Sequence, residues 1–208
     1  MLIDLIKNSK IPKGMTHIAG SPNSGKTTLI YQICKGIREG KKGLILDCEM
    51  NFSAQRLQDI TRDKKIDLRN IIIMNIVDRN QQFNTVMKTH KFIVNENFNF
   101  IAINGITDHF RYASEKEEVS TYRTLSMQLA YLKMVSKKEK IPILMINQVS
   151  AFKSENKKEF KPIANSVMKH YSDRYIILQH INRKLLKATL KDEEVYYTVS
   201  PNGIEIRN

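Results

Sequence analysis

Cysteine, proline, glycine and acidic side chains are all scarce in this chain. Two cysteines in 208 residues, Cys34 and Cys48, fit no metal or redox spacing. We read both as small buried residues of a reducing compartment and expect a cytoplasmic protein. The five histidines are scattered and match no zinc pattern. No apolar run comes near the ~20 residues that cross a bilayer. The opening Met1-Leu2-Ile3-Asp4-Leu5-Ile6 has no basic segment or cleavage pattern of a signal peptide. With five prolines and eight glycines there is no Pro/Gly/Ser-rich linker, and no internal repeat. One domain over 1–208 is therefore expected, with 1–14 a brief apolar lead-in and no room for a further N-terminal domain. Acid is scarcest relative to its counterpart: 21 Asp and Glu against 34 Lys and Arg leave a net charge of +13. That balance favours polyanionic partners, although a general enrichment in lysine, isoleucine and asparagine accounts for it too.

Against these absences stands one complete motif, Gly20-Ser21-Pro22-Asn23-Ser24-Gly25-Lys26-Thr27. It has the G-x-x-x-x-G-K-[ST] form of a phosphate loop. Glycines at both ends let the backbone wrap with its N–H groups inward, and the helix that follows turns the positive end of its dipole to phosphate. Thr16-His17-Ile18-Ala19 before it reads as a strand, and Leu29, Ile30, Ile33 and Ile37 after it fall on one helical face, which Gly40 closes. Lys26 is expected to reach the β- and γ-phosphates of ATP and Thr27 to ligate Mg2+, with Thr28 beside it. The alternative is a turn that binds nothing.

Strands and helices then alternate. Strands are expected at 43–49, 70–76, 98–103 and 141–147, with helices at 53–62, on the face of Phe83, Val86, Met87, His90, Ile93 and Val94, and on that of Val119, Tyr122, Leu125, Leu129 and Leu132. Such alternation predicts an α/β fold around a mostly parallel sheet flanked by helices. Residues 108–118 read as a polar connection, 150–162 as a lysine-rich mobile loop, and 166–171 as a short helix. From 174 onward four short strands, at 174–181, 184–190, 194–200 and 203–206, predict an antiparallel extension of the sheet.

Ligands in open α/β sheets bind beyond the carboxyl ends of the strands, so those ends are where chemistry is expected. They carry Asp47 and Glu49, then Asn104, then Asn147 and Gln148. Glu49 is the candidate to orient or deprotonate an attacking water, or else a solvated loop acid. Asn104 stands where a phosphate-loop ATPase has a magnesium-holding aspartate, and an amide accepts a bond from metal-bound water without supplying negative charge. Asp47 or Asp108 is the candidate substitute acid. Asn104-Gly105 also has the composition of a hairpin turn.

These motifs in this order, with Phe52-Ser53-Ala54-Gln55-Arg56-Leu57 after Glu49, the run from Asn104 to Arg111, and Asn147-Gln148-Val149, resemble the RecA/RadA recombinase superfamily. The small archaeal RadB-like paralogues are the most similar group. The likeness runs over nearly the whole chain, including Lys161-Pro162-Ile163, Met168 to Ser172 and Tyr196 to Ile204. It implies a RecA-like ATPase core using ATP and Mg2+. Glu49 would be its catalytic glutamate, Arg56 would pack on adenine, and Gln148 would sense the γ-phosphate. Arg111 would open a first DNA-binding loop and 152–162 form a second, with Lys153, Lys157, Lys158 and Lys161 for phosphates and Phe152 and Phe160 for base stacking. A solvated charged loop is the alternative. Asn104 and Gly105 depart from the family's Asp-Ser, a basic tract is shortened to Lys191-Asp192-Glu193-Glu194, and no polymerisation motif is evident. The expectation is thus an accessory protein of recombination and repair that binds single-stranded DNA and works beside a RadA-type recombinase, with weak or absent ATP hydrolysis. A nucleotide-bound protein-interaction module and a DNA-dependent ATPase with a substitute acid are the rival expectations.

Overall fold

A computed structural model describes residues 1–64, 66–111, 115–154, 157–162 and 164–207, with 115–118, 150–154 and 157–162 described by their backbone alone. The elements in chain order are α1 (Leu2–Asn8), β1 (Met15–Gly20), α2 (Lys26–Cys34), β2 (Lys42–Asp47), α3 (Ala54–Thr61), β3 (Ile71–Asn75), α4 (Arg79–Val94) and β4 (Phe98–Asn104). They continue as α5 (Glu115–Glu139), β5 (Ile143–Ser154), β6 (Lys157–Pro162), α6 (Asn165–Tyr171), β7 (Arg174–His180), β8 (Leu186–Leu190), β9 (Glu193–Ser200) and β10 (Gly203–Arg207). Spatially the strands run β10-β9-β8-β7-β1-β5-β4-β2-β3, with β6 paired to β5. Strands β7, β1, β5, β4, β2 and β3 are parallel neighbours, and β8 to β10 extend the sheet antiparallel. The predicted fold class is the observed one.

Every residue of β1 is buried, as for a parallel strand covered on both faces. One core lies under α1, α2 and α3 and includes Ile18, Leu29, Ile30, Phe100 and Tyr197. The other lies under α4, α5 and α6 and includes Leu44, Ile103, Leu125, Leu129 and Met145. Among the described residues no helix is long and apolar enough to cross a membrane.

Several expectations are corrected. The lead-in is a helix, α1, whose Leu2, Leu5 and Ile6 are buried. Helix α2 ends at Cys34, six residues before Gly40, because its buried face runs out and Gly36 lies against the Ser9 carbonyl, where a Cβ would sit 2.5 Å away. On α4 the buried stripe is Gln82, Val86, Thr89 and Ile93, while Val94 is exposed. There the polar Gln82 is drawn inward by bonding the Ile106 carbonyl and Gln128, which an apolar count overlooks. Val119 is likewise exposed. The segment read as a loop at 150–162 has the backbone of two antiparallel strands, Val149 opposite Pro162 and Ser154 opposite Lys157. Asn104-Gly105 is no hairpin turn, since β4 pairs in parallel with both neighbours.

Candidate functional site

The loop 20–27 bridges β1 and α2, and each of its terminal glycines answers a different constraint. A Cβ on Gly20 would lie 2.5 Å from Ser24 Oγ and 2.8 Å from the Leu178 carbonyl, so neighbouring backbone leaves no space. Gly25 caps α2 with φ 85°, in the left-handed region, and its Cβ would lie 2.8 Å from Val199 Cγ2. Beneath the loop the Tyr197 hydroxyl donates to the Ser24 carbonyl at 2.7 Å. The first N–H groups of a helix have no partner within it, and those of α2 open onto a cavity of about 340 Å³. Pro22, Asn23, Gly25, Lys26, Thr27 and Thr28 line it, with Glu49, Asn51 and Gln148 opposite. Gly20, Ser21 and Ser24 are not in its wall.

Lys26 is buried and donates to the Ser21 carbonyl at 2.7 Å, folding over its own loop. Burial holds its ammonium below the usual lysine range, while Glu49 and Asp108 pull it back up. An anion in the loop stabilises the charged form further.

Opposite, the strand ends join in one chain of side-chain bonds. Gln148 Nε2 donates to Glu49 Oε1 at 3.1 Å, and Asn51 Nδ2 donates to Glu49 Oε2 at 2.8 Å. Asn104 Nδ2 donates to Asn51 Oδ1 at 3.2 Å and to Asp47 Oδ1 at 2.8 Å, and Thr27 Oγ1 faces Asn104 Oδ1 at 3.5 Å. Asp47 and Asn104 are fully buried. Behind them the Thr107 hydroxyl donates to Asn147 Oδ1. The donor set fits ATP with magnesium: open helix N–H groups and a lysine for phosphate, with Thr27 hydroxyl and Asn104 carbonyl as hard oxygens on the metal side. The ion would supply positive charge against the phosphates.

Asp108 is paired through one oxygen with Arg111 Nη2 at 2.6 Å. Burial raises its carboxyl above the usual range, with Arg111 acting the other way and Glu49 adding to the rise. Of the two candidate substitute acids, then, Asp47 touches Asn104 whereas Asp108 is committed to Arg111. Arg56 lies outside the cavity wall, bonding the Ser200 and Pro201 carbonyls at 2.6 and 2.8 Å and so holding the β9–β10 turn beside it. The side chains of Phe152, Lys153, Lys157, Lys158, Phe160 and Lys161 lie outside the described residues.

Two site residues had no signal in the sequence. Asn51 follows Met50, whose φ of 53° turns the loop back on Glu49, and nothing in composition marks a non-glycine residue there as left-handed. Tyr197 reads simply as an apolar position of a late strand.

A sequence model of the Rad51 family matches residues 4–206. The chain belongs to the Rad51 family. Among its relatives, the DNA repair and recombination protein RadB of Thermococcus onnurineus is 29% identical, over 98% of this chain and 93% of that protein. The protein of the same name from Methanococcoides burtonii is 32% identical over 79% of this chain and 73% of its own length. A crystal structure of the RadB recombinase superposes with a TM-score of 0.79 at 24% identity, covering 99% of this chain and 96% of that one. The resemblance to RadB-like members, drawn from the ordered motifs, is borne out, and with it the RecA-like fold.

Proposed function

We propose that this Rad51-family chain is a cytoplasmic, single-domain accessory protein of homologous recombination and DNA repair. It binds ATP with Mg2+ at the 20–27 loop, binds single-stranded DNA, and turns ATP over slowly or not at all. The observation that carries the reading is an intact Lys26-Thr27 pair in the cavity wall with a buried amide, Asn104, in the acid's place 3.5 Å behind Thr27 Oγ1. The relatives named as repair and recombination proteins support the cellular role. Gln148 bonds Glu49 on one side and leads into β5 and β6 on the other. A γ-phosphate that competes for Gln148 or Glu49 would thus be felt at the lysine-rich strands, whose Lys153, Lys157, Lys158 and Lys161 meet DNA together with Arg111. Nucleotide occupancy then acts as a switch on affinity for DNA or for a RadA-type recombinase.

The test is ATP binding and hydrolysis by the purified chain with Mg2+, with and without single-stranded DNA, and with Lys26→Ala as control. Binding that Lys26→Ala abolishes, with little turnover, is expected. Unchanged affinity in Lys26→Ala overturns the site, and brisk DNA-stimulated turnover overturns the slow-hydrolysis part.

A further inference from the structure

Asn104 is not simply a neutralised aspartate. Its amide has one donor end and one acceptor end, and the donor end is fully committed. One Nδ2 hydrogen goes to Asp47 Oδ1 at 2.8 Å and the other to Asn51 Oδ1 at 3.2 Å. Asn51 cannot turn away, because its own Nδ2 holds Glu49 Oε2 at 2.8 Å. A flipped Asn104 would set its carbonyl oxygen against the Asp47 carboxylate, acceptor on acceptor. Oδ1 is therefore forced towards Thr27 Oγ1, 3.5 Å away, on the side where magnesium would sit.

Asp47 is equally constrained. Its second oxygen accepts the Phe52 N–H at 2.9 Å, and the register of parallel strands β2 and β4 puts Asp47 directly beside Asn104. Both side chains are fully buried, where a charge acts strongly on a neighbouring dipole. A carboxylate behind the N–H end of an amide draws density towards its carbonyl oxygen. We propose that Asp47 and Asn104 work as one magnesium-supporting unit, in which β2 supplies the negative charge and the β4 amide relays it to the metal side of the cavity. Asp47 is thus a positioning residue that never touches the ion. The proposal rests on the nucleotide reading above.

The experiment is binding of a fluorescent, non-hydrolysable ATP analogue to the full chain, from EDTA through a MgCl2 titration, for wild type, Asp47→Asn, Asn104→Ala and the exchange Asp47→Asn with Asn104→Asp. Wild type should bind more tightly as Mg2+ rises. Asp47→Asn should need about tenfold more Mg2+, the usual scale for an outer-sphere partner, with its Mg2+-free affinity unchanged. The exchange returns the acid to β4, where it meets the metal side directly. Recovery of the Mg2+ response there shows that the pocket still folds without Asp47 and that the loss in Asp47→Asn is one of charge, whereas no recovery in a folded exchange variant counts against the proposal. An unaltered Mg2+ response in Asp47→Asn, or an equal loss with and without Mg2+, overturns the proposal. If Asp47→Asn does not fold, Asn104→Ala decides: it keeps Asp47 on Phe52 but removes the relay, and an unchanged Mg2+ response there is equally fatal. Wild type that binds no analogue at any Mg2+ concentration takes down the nucleotide reading and this proposal together. Failure of the variants alone leaves that reading standing.

Discussion

His17 sits in the middle of β1, fully buried, with both ring nitrogens unpartnered among the described residues and its ring 4.8 Å from that of Tyr175. Burial, reinforced by the nearby Lys169 cation, lowers its pKa from 6.5 to about 3. The folded chain keeps the ring neutral over that window while the unfolded chain takes up a proton, so stability is complete above 6.5 and drains away as pH falls towards 3. From pH 7 to pH 5 this one residue should remove about 2 kcal/mol. His17→Leu should be less acid-sensitive than wild type by that amount in urea unfolding at the two pH values. An identical pH response would mean that the ring finds a partner when charged. Single residues were also where the sequence was most informative about chemistry. The sequence put Lys26 and Thr27 in a strand-to-helix loop of fixed spacing and Glu49 and Gln148 at strand ends, and the structure brings all four to the wall of one cavity. Asn51 was not legible, since its place follows from the left-handed turn at Met50, and Asp47 was visible as a strand-end acid but not as the partner of Asn104, which depends on which strand lies beside which.

Helix α2 is held in its last turn by Gln32, whose side chain ties three elements. Nε2 donates to the Ile6 carbonyl of α1 at 2.7 Å, and Oε1 accepts the Ile204 N–H of β10 at 2.8 Å. Gln32→Leu would leave both backbone groups buried and unpaired, at about 1–3 kcal/mol each. A fall of roughly 5 °C or more in the thermal midpoint is expected for a chain of this size. An unshifted midpoint would show that α1 and β10 are held by packing alone. The element boundaries show the same limits of sequence reading. Helix α3 was legible at its start because Ser53 accepts the Arg56 N–H as a cap. The end of α2 was not, because it is set by the approach of Ser9 to Gly36, a contact between segments that no local pattern records. The polar stripe of α4 was hidden for the same reason: Gln82 is inward only because Ile106 and Gln128 wait for it.

For the molecule as a whole the net charge of +13 makes ionic strength the natural probe of the proposed DNA binding. Affinity for single-stranded DNA should fall with a log–log slope of about −0.7 for each phosphate engaged. A flat response would separate the basic surface from nucleic acid altogether. The parallel-then-antiparallel order of the sheet was legible from the spacing of its strands, but not what the late strands do for the early ones.

The Tyr197 hydroxyl reaches back 173 positions to the Ser24 carbonyl, and Val199 closes under Gly25. A loop made this long before β9 therefore stays without its floor until β9 has left the ribosome. Contacts of such separation form late and slowly, so the emerging chain should be unable to retain the proposed nucleotide until β9 has followed. Only after the antiparallel strands close would ATP act as a ligand that favours the finished fold, adding its binding energy to stability and making the cell's nucleotide pool a late checkpoint on folding.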